Sequence, residues 1–271
     1  MTQCESTLTR YTFPVRAFSL IELMVTIALT AVVLALSLPA FAHARRLAQR
    51  VACETNIRSC MQAMANYAGG SDDSLPMFAE RRLLDAFSNG GISLSYFYQS
   101  IHWPMVVRDY LTGRPLDEVQ LCPSSPVIKA AFGGSGSYTT YLNDYPPSYT
   151  QPSDYWLSYT MFSAPEMWMP GGRIDNERLL RAVRLSEIQF PSSKGVLVEP
   201  RAWHVIDRRG GHPSLIDDGR ADGPFVIAFA DGAVSSLKRS SLIPGYGDNG
   251  IMPKYAVAVL ATQAGARGRD R

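Results

Sequence analysis

The hydrophobic pattern of this chain changes character twice. From Leu23 to Ala42 no charged side chain interrupts the apolar ones. A run of about 20 residues is what a helix needs to cross a hydrocarbon core of roughly 30 Å. From 43 onward the apolar residues narrow to a stripe. At about 100° per residue, Cys53, Ile57, Cys60, Met61, Met64, Tyr67 and Ala68 share one face. Glu54, Arg58 and Gln62 flank that face, and Thr55, Asn56, Ser59 and Asn66 lie opposite. The spacing predicts an amphipathic helix packed on a domain and ending at Gly69-Gly70. Pro39 removes one backbone hydrogen bond, so a bend or local loosening is expected there, and an anchor joined to an independent helix would part at that point.

After residue 70 the pattern shortens again, and Pro and Gly become frequent. Three apolar runs read as strands: Lys194 to Glu199 around Gly195-Val196-Leu197-Val198, then Gly223 to Ala230, then Ala233 to Leu237. Asp231-Gly232 between the last two predicts a two-residue hairpin over 224–238. Arg184 to Ile188, ahead of Pro191, reads as a short helix or turn, and most of 133–172 reads as an inserted loop. The expected fold class is α+β: a long N-terminal helix packed on a small antiparallel β-sheet head with long loops.

Composition narrows the function classes. Hydrophobic residues make up 46% and charged residues 18%, so most of the chain should be ordered. A net charge of +2 without a basic stripe gives no reason to expect nucleic acid as a partner. The head has no Gly-x-Ser-x-Gly, no phosphate-binding Gly-rich loop and no His-Glu-x-x-His, so no enzyme activity is expected. His204 and His212 lie near Asp207, Asp217, Asp218 and Asp222, but their spacing repeats no known ligand set and Arg208 and Arg209 intervene. The cysteines are Cys4, Cys53, Cys60 and Cys122, with no Cys-x-x-Cys pair. Cys53 and Cys60, about 10.5 Å apart along a helix axis, are too distant to bridge each other.

Two ordinary readings of the apolar run fall short. A cleaved secretory signal has an apolar region of about 7–15 residues, and this run is longer. A plain anchor is not oriented by its flanks, because Arg10 and Arg16 precede it and Arg45, Arg46 and Arg50 follow. Neither reading accounts for Glu22, a carboxylate at the margin of an apolar segment.

The string Ala17-Phe18-Ser19-Leu20-Ile21-Glu22-Leu23-Met24-Val25 closely resembles the prepilin signature of type IV pilins and type II secretion pseudopilins. The resemblance implies cleavage by a prepilin peptidase between Ala17 and Phe18, with Ala17 in place of the usual Gly. Phe18 then becomes a methylated N-terminus. Glu22 falls at the mature chain's fifth position and Pro39 at its twenty-second, where pilins carry a Glu and often a Pro. In a filament Glu22 would pair with the amine of Phe18 on a neighbouring subunit. The implied organisation is a leader over 1–17, a transmembrane and filament-core segment over 18–42, an amphipathic half-helix over 43–70 and a head over 71–271.

Further islands resemble the pseudopilin-G-like group abundant in planctomycetes: Cys53-Glu54-Thr55-Asn56-Ile57-Arg58, Asp73-Ser74-Leu75-Pro76, Leu121-Cys122-Pro123-Ser124, and His212 followed by Phe229-Ala230-Asp231-Gly232-Ala233-Val234. This likeness pairs Cys53 with Cys122 as a disulfide and leaves Cys60 a buried thiol, while three reduced, buried cysteines stay equally open. It also offers Asp217, Asp218 and Asp222 as calcium ligands, against a solvated loop; no other cofactor is expected. The implied function is a structural subunit of a type IV pilus-like or type II secretion filament. The alternative is a membrane-tethered periplasmic binding protein or enzyme that uses the helix only as an anchor. The implied partners are the prepilin peptidase, other pilin subunits, an inner-membrane assembly platform and, before assembly, membrane lipid. The implied location is the inner membrane, single-pass, with the head in the periplasm, and then a periplasmic or extracellular filament.

Overall fold

The computed structural model describes residues 19–77, 97, 99–111, 118–125, 153–174, 176–201, 203–204, 223–250 and 257–271. The leader with Ala17, the Phe18 that would follow the cut, and the acidic segment with His212, Asp217, Asp218 and Asp222 lie outside these residues. The chain forms two compact units, Met1–Arg45 and Arg46–Arg271.

Helix α1 spans Leu20–Gly70, 51 residues, and passes through Pro39 without interruption. A helix Pro forfeits one ladder bond, and strong helix formers, Leu36, Leu38 and Ala40, flank Pro39. In the first unit the helix has no core of its own: Leu20 and Leu36 are each 74% exposed, and Val33, Leu34 and Phe41 are exposed as well. In the second unit one stripe is buried, made of Cys53, Ile57, Cys60, Met61, Ala63, Met64 and Ala68. The expected face is therefore present, with Ala63 added and Tyr67 only half-buried, edge-on to Tyr110 at 6.0 Å. Asn56, expected to face away, instead donates its Nδ2–H to the carbonyls of Glu118 (3.3 Å) and Leu121 (3.0 Å). Past Gly70, Asp72 and Asp73 turn the chain with positive φ of 53° and 62°. Asp73 then docks the turn by accepting the Leu185 and Ser186 amides.

The head is built on a four-stranded antiparallel sheet in the order β1-β2-β3-β4. The strands are β1 (Trp156–Leu157), β2 (Gly195–Val198), β3 (Pro224–Phe229) and β4 (Val234–Lys238). Val198 pairs with both Trp156 and Ile227, and Val226 pairs with Ser236. β2 is buried throughout and β3 from Phe225 onward. Strands covered on both faces read as continuous apolar runs rather than alternating ones, which is why period-2 alternation is missing from their sequence. The fold is α+β, and the buried stripe of α1 shares one hydrophobic core with β2, β3 and Trp103, Tyr155, Phe162 and Trp168.

Two expectations need correction. The β3–β4 connection is a three-residue loop, Ala230 to Gly232. The Gly232 amide donates to Phe229 O (2.9 Å), and the Phe229 amide donates to Ala233 O (2.8 Å). Only Gly232 has positive φ, at 84°. A two-residue type I′ turn needs positive φ at both central residues, whereas a type I turn closed by a left-handed Gly needs it once. The second correction concerns 153–172, part of the stretch read as an inserted loop. It supplies β1 and two short 3₁₀ turns, Tyr159–Met161 and Pro165–Trp168. Aromatic burial drives it inward: Phe97 contacts Tyr159 at 5.0 Å and Phe162 at 5.8 Å between ring centroids. The indole N–H groups of Trp103 and Trp168 find acceptors in Tyr155 O and Ser163 Oγ, both at 2.8 Å. Arg184–Ile188 contains a 3₁₀ turn, Leu185–Glu187, as its sequence suggested.

One buried ion pair fastens the head internally. Lys194 and Asp270 side chains are 0% and 1% exposed, and Lys194 Nζ donates to Asp270 Oδ2 at 2.9 Å. Thr262 Oγ1 also accepts from Lys194, and the Gly195 amide donates to the same Asp270 oxygen at 2.9 Å. Burial lowers the Lys194 pKa, opposed by the charge and hydrogen bond of Asp270.

Candidate functional site

The start of α1 is organised around Glu22. Ser19 precedes the first helical residue, and its backbone N–H donates to Glu22 Oε2 at 2.9 Å. The Ser19 carbonyl accepts the first helical bond, from the Leu23 amide at 3.2 Å. Ser19-Leu20-Ile21-Glu22 thus makes the carboxylate half of a capping box. It satisfies a donor the helix would leave open and places negative charge at the positive end of the helix dipole. Ser-x-x-Glu ahead of an apolar run was a readable signal for this cap. Within one chain, then, Glu22 is accommodated by a local bond from the Ser19 amide and needs no cationic partner to explain its presence.

The apolar segment behind it is prepared for a medium without water. Each hydroxyl described there bonds backward along the helix: Thr26 to Leu23 O (2.8 Å), Thr30 to Ile27 O (2.9 Å) and Ser37 to Val33 O (2.7 Å). In hydrocarbon a polar group must be satisfied within the protein, and a helix does this for its own backbone. The helix is long and apolar enough to cross a membrane, and its most apolar window has no protein cover. Pro39 sits inside this exposed apolar segment, four residues before His43 and the arginines that follow.

A second cluster, deep in the head, had no spacing to announce it. Cys53 from α1 and Cys122 from the turn after Glu118–Gln120 are joined as a disulfide, with Cα atoms 5.2 Å apart. Cys60 is a buried thiol whose Sγ donates to Val119 O at 3.3 Å. Against the disulfide lie Glu199, at the end of β2, and His204: His204 Nε2 is 3.4 Å from Cys122 Sγ and 3.4 Å from Glu199 Oε1. Burial raises the Glu199 pKa, offset in part by His204 and the Val226 backbone. Asp154 is a second buried carboxylate beside them, pushed up to about 7 by burial. The Cys122 amide (3.0 Å) and the Ser125 hydroxyl (3.1 Å), both donating to Asp154, oppose that rise. Asp231, in the hairpin loop, accepts the Ala233 amide at 2.9 Å. That is a turn contact and accounts for the residue without chemistry.

Comparison with known proteins places the first of these two regions. A profile of the prokaryotic N-terminal methylation motif matches residues 14–38. The match takes in the capping box, Glu22 and most of the apolar run. It stops short of Pro39 and of the cysteine and Asp-Gly islands in the head. The chain matches no curated protein and no solved structure. The motif supports a type IV pilin-like chain that is processed as a prepilin, and α1 is the one helix among the described residues long and apolar enough to anchor it in a membrane.

Proposed function

We propose that this chain is a filament subunit of the type IV pilus or type II secretion pseudopilus kind. One observation carries the reading. The methylation motif at 14–38 opens a single helix whose first part has no protein core and whose later part is built into a folded head. A passive anchor needs only the first part. A helix that runs on from one part into the other ties the folded head to the membrane, or to a filament core.

In this reading the peptidase cuts before Phe18 and the apolar segment rests in lipid as a single span. An assembly platform then transfers it to a bundle of identical helices, with the head outside. Glu22 has two successive partners. Before assembly it caps its own helix; in the bundle it also meets the Phe18 amine of the next subunit, since a carboxylate in that setting is costly without a positive partner. N-terminal sequencing of membrane-extracted protein tests the proposal. A methylated Phe18 is the expected result, and a start at Met1 or beyond Ala42 overturns it. Glu22→Ala should leave cleavage intact while filament yield falls, and normal filaments made of the variant would remove the charge-pair step.

A further inference from the structure

The cluster around Glu199 is overbuilt for a disulfide. Cys53, Cys122, Glu199 and His204 each point one ligand-type atom into the same space, all within 4.8 Å of one another. Glu199 is fully buried, and neither carboxylate oxygen accepts a hydrogen bond of good geometry. The nearest ring nitrogen, His204 Nε2, lies at 3.4 Å on a side chain only 4% exposed. A buried carboxylate held only by such long contacts, to His204 and the Val226 backbone, costs several kcal/mol unless a cation or good donors complete it. A Cys53–Cys122 disulfide supplies neither.

The surroundings are arranged like the outer shell of a metal centre. His204 Nδ1 is 3.1 Å from Ser124 Oγ. With the proton on Nδ1 and donated to that hydroxyl, the lone pair of Nε2 faces Cys122 and Glu199. Fixing the tautomer by a bond to the remote nitrogen is how ligating histidines are usually held. Asp154 grips the Cys122 turn through the Cys122 amide and the Ser125 hydroxyl. The sulfur, sulfur, nitrogen and carboxylate donors suit a borderline cation in tetrahedral geometry and do not suit calcium, which takes six to eight oxygens. Metal–ligand bonds of about 2.0–2.3 Å place tetrahedral ligand atoms roughly 3.3–3.8 Å apart. The two 3.4 Å separations around His204 Nε2 already have that spacing.

We propose that, when Cys53 and Cys122 are reduced, the two thiolates, His204 Nε2 and one Glu199 oxygen bind a divalent cation of the zinc class. The disulfide and the metal exclude each other because they use the same two sulfurs. Conversion of one state to the other is a thiol–disulfide exchange. Two thiolates give two electrons to a disulfide oxidant, which leaves as two thiolates, the Cys53–Cys122 bond forms and the cation departs.

Cobalt(II) binding to the full chain in detergent tests this. The chain is reduced with a phosphine, which takes the disulfide to two thiols and becomes its oxide with oxygen from water. It is then titrated with Co²⁺ and back-titrated with Zn²⁺. The expected result is one Co²⁺ per chain, with thiolate-to-cobalt charge-transfer bands and the intense visible bands of a tetrahedral site, both bleached by Zn²⁺. Glu199→Gln and His204→Ala should each weaken binding at least tenfold. Cys4→Ala/Cys60→Ala should leave the spectrum unchanged, since neither thiol is one of the four proposed ligands. Failure of the reduced wild-type chain to give a tetrahedral spectrum overturns the proposal, and this readout does not depend on any variant folding. Equal affinity in Glu199→Gln, in His204→Ala or in the oxidised chain also overturns it, as does loss of the spectrum in Cys4→Ala/Cys60→Ala.

Discussion

The two parts of α1 both carry large apolar side chains, and those side chains meet opposite fates. Up to Arg45 the leucines, isoleucines and valines stand open; beyond it Cys53, Ile57, Cys60 and Met64 are wholly buried. The first part is the more apolar, with no charged side chain from Leu23 to Ala42, whereas the second carries Arg46, Arg50, Glu54 and Arg58. Angular distribution follows: the first part is apolar all round and the second along one stripe, with Glu54, Arg58 and Gln62 on its flank. A helix apolar all round cannot be covered by one small head, so it must find a solvent or a set of copies that covers every side. Hydroxyls folded back on the helix in the first part, and Asn56 and Glu54 reaching out to the head in the second, carry the same distinction into the polar groups.

The comparison can be broken from either side. Ile57→Ala should do the most damage, lowering the stability of the head by about 2–5 kcal/mol through a cavity in the shared core. Thermal melting in detergent should register it while membrane retention stays as in the wild type. Loss of membrane retention instead would mean the two parts are not independent. Val33→Arg is the mirror experiment. A charge in mid-span costs about 3 kcal/mol of insertion free energy, so the variant should move into the soluble fraction on alkaline extraction with an unshifted head melt. Smaller effects sharpen the boundary. Glu54 accepts from Ser236 Oγ at 2.6 Å, bringing the stem to β4, so Glu54→Ala should cost about 1.5 kcal/mol in the same melt. Arg50→Ala removes only an exposed i,i+4 pair to Glu54, 3.3 Å long, and should change stability by less than about 0.5 kcal/mol. If Arg50→Ala matched Ile57→Ala, the stem would be held by charge and not by packing.

What the sequence made legible follows from range. The apolar run, the stripe from Cys53 to Ala68 and the Asp231-Gly232 turn are patterns within a few residues of one another, and each appears in the fold. The loop length was misjudged because Asp-Gly serves two hairpin types, and only the φ values at Asp231 and Gly232 tell them apart. β1 escaped notice because two residues, Trp156 and Leu157, are too few to carry a period. The Glu199–His204 cluster was illegible for a different reason. Its four members come from positions 53, 122, 199 and 204, and apart from the last two no spacing along the chain relates them. The Ser19–Glu22 cap is the opposite case. Its signal, Ser-x-x-Glu ahead of an apolar run, is local and plain, and it gives Glu22 a role within one chain that is separate from any role between subunits.

The Lys194–Asp270 pair has a consequence for how the protein is made. A ribosome delivers the anchor first, and Lys194 emerges 76 residues ahead of its counter-ion. Until Asp270 arrives, β2 enters the core without the carboxylate that meets the Lys194 amine in the folded head. The buried pair is thus closed only after all of α1 and the four strands have been made.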